Sequence, residues 1–205
     1  MNDKFYFISE SLKTKYTYAF SNLSFVDWFK QECPKCGRAV VAAGYCDTTH
    51  RLVLEGGKVY PDLLGFGGCG SRLFILSEKA VRVFEENGIS GFITESKAEL
   101  YKSYRRKIIP VEDAPVYYIV SIYGEIDYDY RSMFLKRKHV CTECGQFELN
   151  RQRLYPTFFN ISTWDGNDLC SLSTFPGRKV CTEKVVEVVK ENGLMGFDFK
   201  SVTTV

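Results

Sequence analysis

The chain has 205 residues, which is enough for one large domain or two small ones. Its 27 Lys and Arg residues nearly balance 25 Asp and Glu residues, which argues against nucleic acid or a membrane surface as the main partner. The sequence starts without an apolar signal segment, and no stretch approaches the roughly 18 apolar residues of a membrane span. We therefore expect a cytoplasmic protein with no membrane partner.

The first predicted strand covers residues 4–9 (KFYFIS), where aromatic residues are dense. A Cys-x-x-Cys-Gly motif follows at residues 33–37 (CPKCG). Further along, Pro61-Asp62-Leu63 precedes a glycine-rich stretch at 65–70 (GFGGCG). We interpret this stretch as a flexible turn, because it lacks the Lys-Ser/Thr of a phosphate-binding loop.

Residues 77–88 predict a helix with clear ends. Ser77 is suited to the N-cap position, and an apolar stripe runs along one face as far as Phe84. Asn87-Gly88 predicts the end of the helix, since glycine readily adopts the left-handed conformation found there. A new strand is expected from Gly91.

The second part of the chain repeats this order. Pro110 and Pro115 flank an acidic turn, and we place a boundary there that divides the chain into residues 1–109 and 110–205. A second opening strand is predicted at residues 116–121 (VYYIVS), and a second Cys-x-x-Cys-Gly motif lies at 141–145 (CTECG).

The segment at residues 125–130 (EIDYDY) alternates acidic with apolar or aromatic residues. On a strand, Glu125, Asp127 and Asp129 would share one face. This pattern is typical of a half-buried edge strand with a solvated face. It would also suit an acidic, tyrosine-bearing patch for a basic protein partner.

The clearest repeat joins residues 75–95 and 180–200, which are identical at nine of 21 aligned positions. Their offset is 105 residues, and the cysteine motifs repeat at an offset of 108. Thr182 takes the N-cap position of the second helix, and Asn192-Gly193 ends it. We therefore predict an α+β fold of two similar halves that arose by internal duplication.

The two cysteine motifs predict a zinc site. A closed tetrahedral zinc site needs four thiolates, and the motifs supply Cys33, Cys36, Cys141 and Cys144. Such a site is structural, and one zinc per chain would join the two halves. Three alternatives stay open: a local site that uses Cys46 and His50 in place of the second motif, a redox pair, and metal-free cysteine pairs.

No catalytic motif stands out in the sequence. Its two histidines lie outside any metalloprotease-like arrangement, and neither a nucleophile elbow nor a phosphate loop is present. The remaining acid–base candidates are Asp62, Asp165 and Asp168, and such residues more often cap turns. We expect a protein that is not an enzyme.

Taken together, the paired motifs, the Pro61-Asp62-Leu63 segment, the segment at 164–169 (WDGNDL) and the two helices resemble the double-CXXCG motif proteins. This bacterial family is associated with immunity to contact-delivered or polymorphic toxins. The resemblance covers nearly the whole chain, and the residues that match the defining motif are Cys33, Cys36, Gly37, Cys141, Cys144 and Gly145. Residues 164–169 and 192–197 are similar to the C-terminal region of related immunity families. One departure is Cys181-Thr182, where a small residue and a serine would be expected.

The resemblance implies a non-enzymatic, cytoplasmic inhibitor that binds a cognate protein toxin and blocks its active site or its access to substrate. The alternative class is a zinc-ribbon nucleic-acid-binding regulator, in which the basic residues Lys136, Arg137 and Lys138 would contact phosphates. A third class is a hydrolase that uses one of the three aspartates.

Overall fold

The computed structural model describes residues 4–21, 30–35, 39–41, 51–67, 72–104, 107–128, 142–143, 158–172 and 178–204. In the first part of the chain the elements are β1 Phe5–Glu10, β2 Thr17–Ser21, β3 Lys30–Glu32, β4 Ala39–Val41, β5 Arg51–Gly56, β6 Leu63–Gly67, β7 Leu73–Ser77, α1 Glu78–Glu86, β8 Phe92–Lys97, β9 Glu99–Tyr104 and β10 Lys107–Pro110. They continue with β11 Tyr117–Ile122, β12 Gly124–Tyr128, β13 Phe158–Asn160, a 3-10 turn at Ile161–Thr163, β14 Leu169–Leu172, β15 Lys179–Thr182, α2 Glu183–Glu191 and β16 Phe197–Thr204.

The predicted fold class is wrong. Within the described ranges, sixteen strands stand against two nine-residue α-helices, so the protein is mainly β and not an α+β fold of two halves joined by a four-cysteine site. The described residues also contain no group of three or more Cys, His, Asp or Glu side chains placed to hold a metal ion. Where the sheets are described, apolar packing and single backbone hydrogen bonds, such as that from the Leu63 amide to the Met195 carbonyl oxygen, join them. The division at residues 109 and 110 stays a prediction.

The first sheet closes on itself in the order β1-β15-β14-β12-β13-β16. Strand β1 lies between β15 and β16 and is antiparallel to both: Phe5 is opposite Thr182 on one side and Val202 on the other. The opening strand of the chain is therefore surrounded by strands from its far end.

The second sheet has eight strands in the order β10-β9-β5-β2-β6-β7-β11-β8. Here β11 takes the place that β1 takes in the first sheet, between β7 and β8. Strands β8 and β9 are separated only by Ala98, whose amide donates to the Tyr117 carbonyl oxygen at 2.8 Å. The chain thus passes directly from β8, at one end of this sheet, to β9, which is next to the other end. Strands β3 and β4 form a separate hairpin.

Three apolar clusters fill the protein. One is built from β1 and strands β12 to β15 and includes Phe5, Phe159 and Val180. Another is built mainly from the eight-stranded sheet and includes Leu64 and Tyr117. The largest lies between the sheets and contains the apolar faces of both helices. Alternate residues of each strand face opposite sides, which is why one strand serves two clusters.

Both helices begin and end where the sequence predicts. The Ala80 amide donates to the Ser77 hydroxyl oxygen at 3.1 Å, which confirms Ser77 as an N-cap, and both helices end at an asparagine. Thr182 occupies the corresponding position, but its hydroxyl donates to Asp168 at 2.9 Å. Neither helix in the part of the chain that the structure describes is long and apolar enough to span a membrane.

The glycine-rich stretch differs from its prediction. Gly65–Gly67 belongs to β6 and not to a turn, and the rest of the stretch lies outside the described residues. A Cβ on Gly65 would lie 3.2 Å from the Glu10 side chain and 3.4 Å from that of Tyr18. The absence of a side chain lets these two neighbours pack over the strand.

Candidate functional site

One residue of each cysteine motif contacts the other in the structure. Lys35, between the cysteines of the first motif in the sequence, donates from Nζ to Oγ1 of Thr142 at 2.6 Å. Thr142 lies between the cysteines of the second motif in the sequence, 107 positions further along the chain. Of the four predicted ligands, Cys33 is described and is buried at 3% exposure. Cys36, Cys141 and Cys144 lie outside the described residues.

The first motif begins where a hairpin turns. Cys33 follows β3 directly, and Glu32 of that strand pairs with Ala39 of β4. The motif therefore occupies the loop that connects two paired strands. In such a loop, two cysteines separated by two residues can bind one metal ion. Cys46 and His50, the ligands of the alternative local site, lie outside the described residues.

Asp62 connects the start of one helix to the end of the other. It is 6% exposed, and its Oδ1 accepts a hydrogen bond from the hydroxyl of Ser77, the N-cap of α1, at 2.6 Å. Its Oδ2 accepts from the backbone amide of Met195, just after α2, at 2.8 Å. Both carboxylate oxygens are thus used to hold two distant parts of the chain together.

Asp168 makes the corresponding connection with the two helices exchanged, from the start of α2 to the end of α1. Its Oδ1 accepts from the hydroxyl of Thr182 at the start of α2, and its Oδ2 accepts from the amide and the hydroxyl of Ser90, just after α1, at 3.1 Å each. Lys184 adds an ion pair to Oδ2 at 3.1 Å. Burial by itself would raise the pKa of Asp168, but the bonds from Ser90, Thr182 and Lys184 outweigh it and hold that pKa below its ordinary value.

Asp165 differs from both of these aspartates because it is exposed. Its Oδ2 accepts from the backbone amide of Glu125 at 2.9 Å, and its Oδ1 accepts from the amide of Asn167 at 3.1 Å. It ties the loop after the 3-10 turn to strand β12. All three predicted acid–base candidates therefore accept at least two hydrogen bonds that hold the chain in place.

The acidic segment lies on β12, as predicted for a strand. Glu125 is exposed, Ile126 is fully buried and Asp127 is half-buried, which matches the alternation in the sequence. Glu125 forms an ion pair with Arg72 at 2.9 Å, and the amide of Asp127 donates to Thr163 Oγ1 at 2.8 Å. Strand β12 pairs with β13 and β14, so the expectation of an edge strand is wrong. Asp129 lies outside the described residues.

The basic residues that the alternative class would use, Lys136, Arg137 and Lys138, lie outside the described residues.

Cys170 is buried, as its apolar and small neighbours in the sequence indicate, whereas the half-buried Lys179 was not singled out by the sequence. Burial raises the pKa of the Cys170 thiol to about 12, and Asp165 adds to this shift. Burial also lowers the pKa of Lys179, whose Nζ lies 5.0 Å from the centre of the Phe74 ring. Nothing in the local sequence distinguishes this lysine from the exposed ones, because its neighbour Phe74 comes from the other sheet.

A scan against models of known protein families found no match, and a search of curated proteins found none either.

Proposed function

We propose that the protein is a non-enzymatic, cytoplasmic immunity protein that binds and neutralises a cognate protein toxin, and that it carries one structural zinc ion. The ligands of the zinc would be Cys33, Cys36, Cys141 and Cys144. The observation that supports the metal part of this proposal is the hydrogen bond between Lys35 and Thr142, one residue from each motif. The toxin-binding part rests on the resemblance to the double-CXXCG proteins.

The contact between the motifs favours a shared zinc over the local alternative. A shared site requires the two loops to be neighbours, whereas a site built with Cys46 and His50 places no such demand on residues 141–145. The positive charge of the Lys35 ammonium also fits a four-thiolate zinc site. Four thiolates around one Zn²⁺ leave a net negative charge, and a nearby cation stabilises it.

The aspartates support a binding role. Asp62 and Asp168 each accept one hydrogen bond at the start of a helix and another after the other helix. Asp165 accepts two backbone amides. Carboxylates committed to such bonds stabilise loops in a fixed geometry, which is the property that a rigid binding scaffold needs.

Strand β12 is the surface that we propose for the toxin. Its acidic residues Glu125 and Asp127 are close in sequence to the half-exposed Tyr123. Their backbone amides donate hydrogen bonds to Asp165 and Thr163, which hold the backbone in place. A preorganised surface of acidic and aromatic side chains suits a basic partner. Asp129 follows in the same segment. The ion pair to Arg72 neutralises part of this charge in the free protein.

The metal is tested by counting zinc in purified protein. We expect about one zinc per chain, lost alike in Cys33→Ser and Cys141→Ser, as a closed four-thiolate site requires. Cys46→Ser is the matched control and should keep its zinc. Zinc retained in Cys141→Ser but lost in Cys46→Ser would instead establish the local site, and a metal-free wild type would refute both.

The proposal predicts that a toxin domain is encoded beside this protein, and binding is tested with that domain. We expect a one-to-one complex and protection of cells that express the toxin. The charge reversals Glu125→Lys and Asp127→Lys should weaken binding by about tenfold or more, because a basic partner would meet like charge. Glu95→Lys, at an exposed position of β8, is the matched control and should bind normally.

Two results would contradict the proposal. One is failure of the wild-type protein to bind or protect against that toxin. The other is salt-dependent binding to DNA or RNA that is weakened by replacing Lys136, Arg137 and Lys138, which would establish the nucleic-acid-binding class.

A further inference from the structure

Strand β1 is held by parts of the chain far from its own sequence neighbours. Phe5–Ile8 pairs with residues 179–182 of β15, and Phe5–Glu10 pairs with residues 197–202 of β16. Both edges of β1 are therefore used by the last 27 described residues. Within the described ranges, β1 has no ladder partner among strands β2 to β11.

The side chains of β1 complete two apolar clusters. Phe5 is 1% exposed, and its ring centre lies 6.1 Å from that of Phe159 and 5.1 Å from that of Trp164. On the other face, Ile8 is 4% exposed and belongs to the cluster between the sheets. Burying large apolar side chains of this kind stabilises the strand in its place. The gap between β15 and β16 thus binds a strand of specific sequence.

Further bonds fix both ends of β1. The amide of Glu183, the first residue of α2, donates to the Lys4 carbonyl oxygen at 3.0 Å. The Lys4 ammonium also pairs with the Glu183 carboxylate at 2.8 Å. At the other end, the Ser11 amide donates to the Gly196 carbonyl oxygen at 2.8 Å.

In contrast, the link from β1 to the rest of the chain is exposed. Leu12 is 89% exposed, and residues 13–15 are exposed as well. The chain reverses in a turn in which the Tyr16 amide donates to the Lys13 carbonyl oxygen at 2.9 Å. This short segment makes up most of the connection between β1 and β2.

Strand β11 provides an internal comparison. It fills the corresponding gap between β7 and β8, but only Tyr123 separates it from β12. A one-residue connection leaves no length with which β11 could reach another copy. Strand β1, in contrast, is connected to β2 by the six residues 11–16, four of which are exposed.

We propose that the gap between β15 and β16 is a strand-binding site that accepts β1 of a second copy of this chain, which gives a reciprocal strand-exchanged dimer. Every ladder bond and apolar contact of β1 is then kept, and the path of residues 12–15 changes, at the expense of the bond from the Val59 amide to the Lys15 carbonyl oxygen. Exchange of an identical element in this way is a low-cost route to a dimer. Native monomers should exchange slowly, since β1 must leave a closed sheet, and refolding at high concentration should populate the dimer.

The experiment places a reporter disulfide in the full-length chain. Ser9 and Asp198 are directly opposite each other on β1 and β16, and both are exposed. Cysteines at two directly opposed strand positions lie at a separation that a disulfide can bridge. In Ser9→Cys/Asp198→Cys, a disulfide within one chain reports β1 in its own gap. A disulfide between two chains reports exchange.

We expect a monomeric disulfide after refolding of this variant at low protein concentration. Deleting residues 12–14 removes the turn that returns β1 to its own gap, so the deletion variant should refold mainly as a disulfide-linked dimer. Ser9→Cys alone controls for links through the other cysteines and should give no dimer. A deletion variant that folds with only the monomeric disulfide overturns the proposal.

A circular permutant covers the case in which the deletion variant fails to fold. Residues 13–205 are followed by a short Gly-Ser linker and residues 1–12, which is feasible because Phe5 and Val202 are neighbours. This chain should fold as a monomer with the melting temperature shifted by only a few degrees. A permutant that does not fold would show that β1 needs its natural connection, which also overturns the proposal.

Discussion

Asp62 offers a direct test of how the two sheets are joined. Its carboxylate is 6% exposed and accepts from Ser77 on one oxygen and from the Met195 amide on the other. We predict that Asp62→Asn destabilises the protein by about 2 kcal/mol, because an amide offers one acceptor oxygen where a carboxylate offers two.

The magnitude follows from what asparagine can still do. Its oxygen can accept from the Met195 amide, and its amide group can donate to the Ser77 oxygen. In that arrangement the Ser77 hydroxyl proton has no acceptor at position 62, and the negative charge of the carboxylate no longer strengthens the two bonds. A buried bond to a charged group contributes about 1.5–3 kcal/mol, and part of it is kept. In a chain of this size, a loss of 2 kcal/mol lowers the melting temperature by roughly 4–8 °C.

Urea unfolding followed by circular dichroism measures this loss, and Asp165→Asn is the matched control. Asp165 also accepts two hydrogen bonds on separate oxygens, but it is exposed, so water can replace an acceptor. We expect this control to lose less than about 0.5 kcal/mol. Equal losses in the two variants would refute the reasoning, since burial would then have no part in the effect.

Three further predictions follow from named contacts. Gly91 has φ +94°, and a Cβ there would overlap the Leu169 carbonyl oxygen, whereas Gly88 has φ +58° and open space. Alanine at 91 should therefore cost about 3 kcal/mol or more in urea unfolding, alanine at 88 about 1 kcal/mol, and equal costs would contradict the steric argument. Because the pKa of Asp168 is lowered in the folded state, its contribution to stability is full above about pH 4 and is lost as pH falls through the folded pKa. The free energy of unfolding of Asp168→Asn should thus fall less steeply than that of the wild type below pH 4, and parallel curves would exclude this role. If the motifs share a zinc, Lys35→Ala should release it to a chelator several-fold faster and Lys35→Arg should not, whereas equal rates would place the lysine away from the metal.

The helices could be predicted from the sequence because their signals are local. Ser77 caps α1, and Asn87 ends it just before Gly88, which is left-handed as predicted. Cap residues act on backbone groups within one turn, so no knowledge of the remaining chain is needed. The opening strands β1 and β11 were predicted for a similar reason, since both are dense in aromatic and β-branched residues.

The fold class could not be predicted because it depends on strand pairing over long distances. Strands β5 and β14 carry no strong local signal, and they are strands because β2 and β15 lie beside them. The pairing of β1 with β15 joins residues that are more than 170 positions apart. Local propensity says nothing about such a partner, which is why β propensity depends so strongly on context.

The aspartate connections fall between these cases. The sequence shows an aspartate before leucine ahead of each helix, at 62 and at 168, which was a usable signal of a shared role. It does not show that each aspartate also binds an amide after the other helix, at Met195 and Ser90. That second partner exists only because the two helices pack side by side between the sheets.

These long-range connections change what a zinc ion would do in this protein. The sequence assigned to the metal the task of holding two halves together. In the structure, β1 does this by pairing with β15 and β16 from the far end of the chain. Asp62 and Asp168 do it as well, because each accepts hydrogen bonds from groups next to both helices. The contact between Lys35 and Thr142 lies instead next to the β3–β4 hairpin, which belongs to neither large sheet. A zinc at that hairpin would fix the loops around Lys35 and Thr142, so chelation should loosen these loops while both sheets stay folded.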